Sequence, residues 1–163
     1  MKILAVSDVE LGLLYNASVA DRFHDVDLIL SSGDLRYSYL EYLVSMLNVP
    51  LYYVLGNHAN QVEQTVAGPK RSPDGGVNLH MRFRRYEKLL MAGIEGCVQY
   101  NNGPFQYSQA EMWALAFRLV PGLLVNKILF GRYLDVLVTH APPLGIHDLD
   151  DRPHVGIRAF RWL

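Results

Sequence analysis

The sequence predicts an α/β domain organised around a parallel sheet, and three observations carry that prediction. Apolar runs at 2–7, 27–31 and 51–55 alternate with segments of helical spacing, giving a β-α-β-α-β rhythm in the first third of the chain. The connections are short, which favours parallel neighbours joined by right-handed crossovers. Half of the 163 residues are hydrophobic and 19% are charged, enough apolar material for one core and one domain over 1–163 and too much for a disordered chain.

Taken in order, 2–7 is a continuous apolar run of the kind that is buried on both faces. Asn16 can cap a short helix through about Phe23, and 27–31 (DLILS) is a second buried strand. Residues 37–47 have helical spacing and stop before Asn48-Val49-Pro50, as a helix ahead of proline should. LYYVL at 51–55 is the third strand, and 58–76, polar and rich in Gly, Pro and charge, reads as a surface loop. Val77, Leu79, Met81 and Phe83 alternate with polar residues, and with the apolar run 89–94 they predict an antiparallel hairpin. Ser108 with Glu111 fits a capping box opening a helix over 109–120. The Pro121-Gly122 pair predicts a break, with a second helix over 123–133, a strand at 135–139 (DVLVT) and the start of an amphipathic helix at 156–163.

Several function classes are disfavoured. Fifteen Lys+Arg against sixteen Asp+Glu leave a formal charge of −1, with no global basic field to recruit nucleic acid. Cys97 is the single cysteine, so it can form neither an internal disulfide nor a thiolate zinc site alone, and a cytoplasmic protein is expected, with Cys97 a small buried hydrophobe. The N-terminal MKILAVSD is too short a run for a secretory leader. The apolar tract 113–130 is interrupted by Arg118, Pro121-Gly122 and Asn126-Lys127 and is not expected to span a membrane, which takes about 20 nearly unbroken apolar residues. Two helices packed on a sheet are the expected use of it; lying on a membrane surface is the alternative. Oligomeric state is left open.

Ligands of open α/β sheets sit at the carboxyl ends of the strands. The loops that leave the predicted strands read Ser7-Asp8-Val9-Glu10, Gly33-Asp34, Gly56-Asn57-His58 and Thr139-His140-Ala141-Pro142-Pro143. Asp, Asp, Asn-His and His are the oxygen and imidazole donors that hold hard or borderline divalent cations. Glycines ahead of Asp34 and Asn57 allow the tight turns that such a placement needs. Singly, each residue has an ordinary use: Asp8 as a cap, Asp34 as a turn residue or N-cap, Asn57 as a turn former, His140 as a satisfied histidine. Their joint occurrence at one sheet edge favours a shared site. Arg36, close to Asp34, can pair with a substrate phosphate, solvate the start of a helix or enter a structural ion pair. His24 and His80 read as surface or hairpin histidines, and Lys70-Arg71 with Arg82, Arg84 and Arg85 as solvated basic patches.

The G-D, G-N-H and T-H-x-P-P series, in this order and over essentially the whole chain, resembles the calcineurin-like metallophosphoesterases. The resemblance implies a four-layer α-β-β-α sandwich and a metal-dependent phosphoesterase acting on phosphodiesters or phosphomonoesters, with small phosphodiesters, cyclic nucleotides included, somewhat favoured. It implies two divalent cations, Mn²⁺ first, with Mg²⁺, Fe or Zn²⁺ as alternatives. By the same resemblance Asp8 binds the first metal, Asp34 bridges both, and Asn57 and His140 bind the second. His58 serves as general acid or stabilises charge on the phosphate. Two such cations about 3.5–4 Å apart clamp phosphoryl oxygens and make a bridging water nucleophilic.

Three departures from the family pattern stand out. Glu10 occupies the histidine position of the usual D-x-H; as a ligand it would make the first site all-oxygen, suited to Mn²⁺ or Mg²⁺ over Zn²⁺. Ala59 stands where an acid usually orients the catalytic imidazole. The late G-H-x-H motif is missing, which leads us to expect a C-terminally truncated domain, with neither His147 nor His154 replacing the lost pair. The alternative function is a catalytically impaired metal- or nucleotide-binding remnant of that fold.

Overall fold

Alternation of side chains along the first strands sets the architecture. Strand β1 (Ile3–Val6) leads to a one-turn helix α1 (Val19–Arg22), strand β2 (Leu28–Ser31), helix α2 (Tyr37–Leu47) and strand β3 (Leu51–Tyr53). There follow β4 (Glu63–Thr65), β5 (Gly68–Lys70), β6 (Gly76–Asn78), β7 (Arg84–Tyr86), β8 (Leu89–Ile94), β9 (Cys97–Val98) and β10 (Gln106–Tyr107). The long helix α3 (Gln109–Phe130), strand β11 (Val136–Thr139) and a 3₁₀ turn at Arg158–Arg161 complete the order. This computed structural model describes residues 1–58, 62–66, 68–151 and 153–163. Among them it is a mixed α/β fold with a parallel sheet and three α-helices, the class the sequence predicts.

The first sheet has the order β1-β2-β3-β6, every pair parallel. The second has the order β11-β8-β7, with β11 parallel and β7 antiparallel to β8. Between them the chain crosses over at 79–81: Leu79 N donates to Tyr53 O of the first sheet, and Met81 N donates to Gly93 O of the second.

Because successive side chains on a strand point to opposite faces, β2 and β3 feed two different apolar clusters. Ile29, Leu51 and Tyr53 pack with Val19, Tyr39, Leu40 and Leu43 of α1 and α2. Leu28, Leu30 and Tyr52 pack instead with Met91 of β8 and Val138 of β11. A third cluster joins Ile94 to Met112, Leu115, Ala116 and Leu119 of α3 and to Phe160 of the 3₁₀ turn. Each such side chain stabilises the fold by about 1.5–3 kcal/mol when fully buried.

Helix α2 has the expected bounds and ends at Asn48, whose φ of 53° provides a left-handed cap ahead of Pro50. The Ser108–Glu111 capping box is present, with Ser108 N donating to Glu111 Oε2 at 2.7 Å and Glu111 N to Ser108 Oγ at 3.2 Å. Other expectations are corrected. Asn16 does not cap the first helix; its Oδ1 accepts from Ser18 N at 3.0 Å, and the helix starts only at Val19. The hairpin pairs Arg84–Tyr86, not 77–83, with β8, while Gly76–Asn78 extends the first sheet in parallel. The stretch 58–76 is not all loop, since β4 and β5 pair antiparallel within it. The helix expected at 156–163 is a short 3₁₀ turn.

The largest correction is α3, which runs unbroken through Pro121-Gly122. Proline removes one helical hydrogen bond, but burial of Leu119 before it and Asn126 after it ties both halves to the protein. The ring of Phe83 lies where Gly122 lacks a Cβ; an alanine there would overlap it. By length and composition α3 is the one helix among the described residues able to cross a membrane, although Met112, Leu115, Ala116 and Leu119 lie within the protein's own core.

Candidate metal centre

The strands of the first sheet end in strained turns that carry carboxylates. Asp8, two residues past β1, has φ 60°, and Asp34, three past β2, has φ 57°. Non-glycine residues seldom take this left-handed conformation, aspartate more readily than most, and it gathers at functional sites. The turns hold each other, since Asp8 N donates to Gly33 O at 3.1 Å. Ser7 Oγ bonds Asp8 Oδ2.

Asp34 is nearly enclosed, with 6% of its side chain exposed, and uses both oxygens. Oδ1 accepts from the backbone N–H of His58 at 3.0 Å. Oδ2 lies 3.3 Å from His140 Nε2. His140 is the first residue past β11, so this contact joins the C-terminal ends of the two sheets. Its Nδ1 lies 2.8 Å from the Ser32 carbonyl, a pure acceptor, so Nδ1 carries the hydrogen. Nε2 is then the ring atom with an available lone pair, and it sits 2.9 Å from Asn57 Oδ1. The Asn57 amide is oriented by its Nδ2, which donates to Tyr100 Oη at 2.9 Å. An imidazole nitrogen, a carboxylate oxygen and an amide oxygen thus converge, the donor types that ligate divalent cations.

One ligand atom each from Asp8, Asp34 and His140 fall within 4.8 Å of one another. The space they need exists because Gly56 has no side chain: a Cβ there would overlap the Asp34 carboxylate and lie 2.8 Å from His140 Cε1. Gly33, at φ 104°, fits against the Gly56 backbone in the same way. The group opens into a cavity of about 230 Å³. His58 and Asn57 line it too, with the imidazole residue His58 exposed.

Of the residues singled out in the sequence, Asp8, Asp34, Asn57, His58 and His140 are brought together here. Glu10 and Arg36 are not. They pair with each other, Arg36 Nε donating to Glu10 Oε1 at 2.7 Å and Nη2 to Oε2. The Arg36 guanidinium holds the Glu10 carboxyl below the usual carboxylate range. Of its sequence readings Arg36 takes the structural ion pair, and Glu10 lies outside the Asp8–Asp34–His140 group. Ala59 lies outside the described residues. His147 and His154 do line the cavity, and His154 Nδ1 sits 2.7 Å from Asp151 Oδ1, which leaves its Nε2 as the free ring atom. Cys97 also lines the cavity, its thiol pushed up to about 11 by burial, hence protonated near neutral pH.

Sequence reasoning passed over a neighbouring buried group. Glu95, one residue past β8, accepts from Tyr107 Oη at 3.0 Å and faces His80 Nε2 at 3.5 Å. Its backbone N–H donates to His80 Nδ1 at 3.2 Å. Burial raises the Glu95 carboxyl and lowers the His80 imidazole. Glu95 also follows a strand directly, the one signal that could have found it.

Two carboxylates and an imidazole are the donor types that suit a hard or borderline divalent cation such as Mn²⁺, Mg²⁺ or Zn²⁺. No protein-family model matches the chain, and no curated protein matches it.

Proposed function

We propose that the chain is a metal-dependent phosphoesterase of the calcineurin-like type, hydrolysing phosphodiester or phosphomonoester bonds. The observation that carries this reading is the convergence of Asp8, Asp34 and His140 ligand atoms within 4.8 Å at the C-terminal ends of parallel strands. The four-layer α-β-β-α sandwich belongs to the same proposal. Its support is the sequence of apolar clusters: α1 and α2 on the first sheet, sheet on sheet, and α3 on the second sheet.

In this reading Asp8 and Asp34 would hold one divalent cation, and Asp34, Asn57 and His140 would hold a second, with His140 Nε2 serving that ion alone. Such cations, when bound, supply positive charge to phosphoryl oxygens and a nucleophilic water near neutral pH. The protein's part is positional. The Ser32 carbonyl fixes the His140 tautomer so that Nε2 faces the site. Tyr100 aims the Asn57 carbonyl inward, and the His58 backbone amide holds the Asp34 carboxylate in register. The exposed His58 imidazole then delivers a proton to the leaving oxygen. His154, oriented by Asp151, lines the same cavity and offers a second imidazole to a phosphate there.

A second reading has an observation of its own. Glu10 is committed to Arg36, which removes one ligand from the first cation and favours a cation- or nucleotide-binding domain without turnover. Mn²⁺ binding by calorimetry beside Mn²⁺-dependent hydrolysis of bis(p-nitrophenyl) phosphate separates the two. An enzyme shows both, and its turnover falls by more than about 100-fold in Asp34→Asn, beyond the loss expected from a supporting partner alone. Binding without turnover leaves the binding domain. A folded chain that does neither overturns both readings.

A further inference from the structure

The solvent side of α3 is apolar. Phe117, Pro121, Leu124 and Ile128 recur at helical spacing along its outer face, with Val125 and Leu129 beside them. Ile128 is 81% exposed, Leu129 65% and Phe117 55%, so these are not edges of the core. The stripe continues into an aromatic cluster, where Phe117 lies 5.4 Å from Trp113 and 5.2 Å from Trp162 between ring centroids. Beside it, Val120, Leu124, Tyr133 and Trp162 line an open groove of about 220 Å³. Single exposed apolar residues are ordinary, but a continuous face of this kind marks a surface that something covers.

Charge says what covers it. From Met112 to the end of α3 the helix carries no acidic residue, only Arg118 and Lys127. Lys127 Nζ stands 5.2 Å over the Tyr133 ring, and Arg85 of β7 places its guanidinium 5.1 Å from the Phe130 ring. The acidic groups nearby in the chain are Glu111, in the first turn of α3 and engaged by Ser108 in the capping box, Glu87, in the β7–β8 turn, and Asp135, already bound by Arg132 Nε at 2.7 Å. A symmetric pair formed through this face would press the cations of one copy toward those of the other with no carboxylate on the helix beyond its capped first turn to offset them. Apolar side chains ringed by cations, with tryptophans at one edge, are the pattern of a helix lying in the interface of an anionic bilayer. The opposite face of α3 is buried on the second sheet, which suits a helix lying along a membrane and not one crossing it.

We propose that α3 docks the protein on an anionic phospholipid surface, with Phe117, Leu124 and Ile128 entering the acyl boundary and Arg85, Arg118 and Lys127 meeting the headgroups. None of these residues lines the metal-centre cavity, so the inference stands apart from the phosphoesterase reading.

Co-sedimentation with vesicles of phosphatidylcholine containing phosphatidylglycerol, beside vesicles of phosphatidylcholine alone, tests it on the full chain. The expected result is binding to the anionic vesicles that high salt weakens. Leu124→Glu with Ile128→Glu should lower the partition coefficient by more than about 10-fold, since acidic side chains would then face the acyl boundary and the anionic headgroups. Both positions are exposed, and an unchanged melting curve shows that the variant is folded. Lys127→Ala leaves the stripe intact and should weaken binding about 5-fold at low salt and little at high salt. Equal recovery of wild type and the Glu variant with anionic vesicles overturns the proposal. So does a wild-type dimer by light scattering that becomes monomeric in the Glu variant and ignores vesicles, which would make the face an interface between copies.

Discussion

Replacing Gly56 with alanine adds one methyl group against two of the candidate metal ligands, Asp34 and His140. The Gly56 backbone is not left-handed, so the effect comes from the methyl's contacts and not from backbone strain. That Cβ would overlap the Asp34 carboxylate and come within 2.8 Å of His140 Cε1, where ordinary contacts begin near 3.4 Å. The His140 ring must therefore give way by about 0.6 Å, the margin between those distances, and the overlapped Asp34 carboxylate by more. A shift on that scale should weaken cation binding at least as much as loss of an outer hydrogen-bond partner, about 10–100-fold. Thermal unfolding with Mn²⁺ reads this directly. At about 100 times its Kd the ion stabilises the wild type by about 2.7 kcal/mol, a rise of about 5–11 °C for a domain of this length. The same Mn²⁺ concentration should stabilise Gly56→Ala by only about 0.4–1.4 kcal/mol. Gly12→Ala, with nothing within 4 Å of the new methyl, is the control and should keep the full shift. A full Mn²⁺ shift in Gly56→Ala would refute the placement of the ion between Asp34 and His140.

Three further outcomes are expected. The folded state raises the Glu95 carboxyl, so it holds that proton more tightly than the unfolded chain, and the associated stability is lost as pH rises from the ordinary value of 4.5 through the raised one. Glu95→Gln should therefore match the wild type near pH 4 and exceed it at pH 7–8 in a series of thermal melts; equal curves at every pH would remove the burial argument. Ser108→Ala should lose about 1 kcal/mol in urea unfolding, because it deletes the acceptor of the capping box at the start of α3. Pro121→Ala should gain up to about 3 kcal/mol, since an N–H returns to the middle of a continuous helix; a variant no more stable than wild type would count against that continuity.

The parts of the fold that were legible are those where burial writes itself into the sequence. β2 and β3 lie between two apolar clusters, so their runs are unbroken, and α2 ends where Pro50 forbids more helix. Asp8, Asp34, Asn57 and His140 were legible because each follows a strand within a few residues. What failed to show has equally physical causes. Pro121-Gly122 carries a local breaking signal that Phe83, remote in sequence, overrides by packing where Gly122 has no Cβ. The β4–β5 hairpin has no apolar alternation to announce it, being exposed or half-buried throughout. Glu10 stands in a ligand's position, but the geometry offers it an arginine instead. Tyr100, which orients Asn57, lies 43 residues away on a loop, beyond the reach of any periodic pattern.

The link from His140 to Ser32 spans 108 residues, and it has a consequence for the newborn chain. Asp8, Asp34, Asn57 and His58 are made first, and about 80 residues must follow before His140 exists, roughly 4–16 s at ordinary rates of synthesis. For that interval the chain carries a half-built acidic site able to meet cations only loosely. Contacts this distant in sequence are slow to close, so under the proposed reading tight metal capture would be a late event, one that marks the seating of the second sheet against the first. A bound ion would then act as a rivet across the seam, and removing it should loosen the joint between the two sheets before it disturbs either sheet alone.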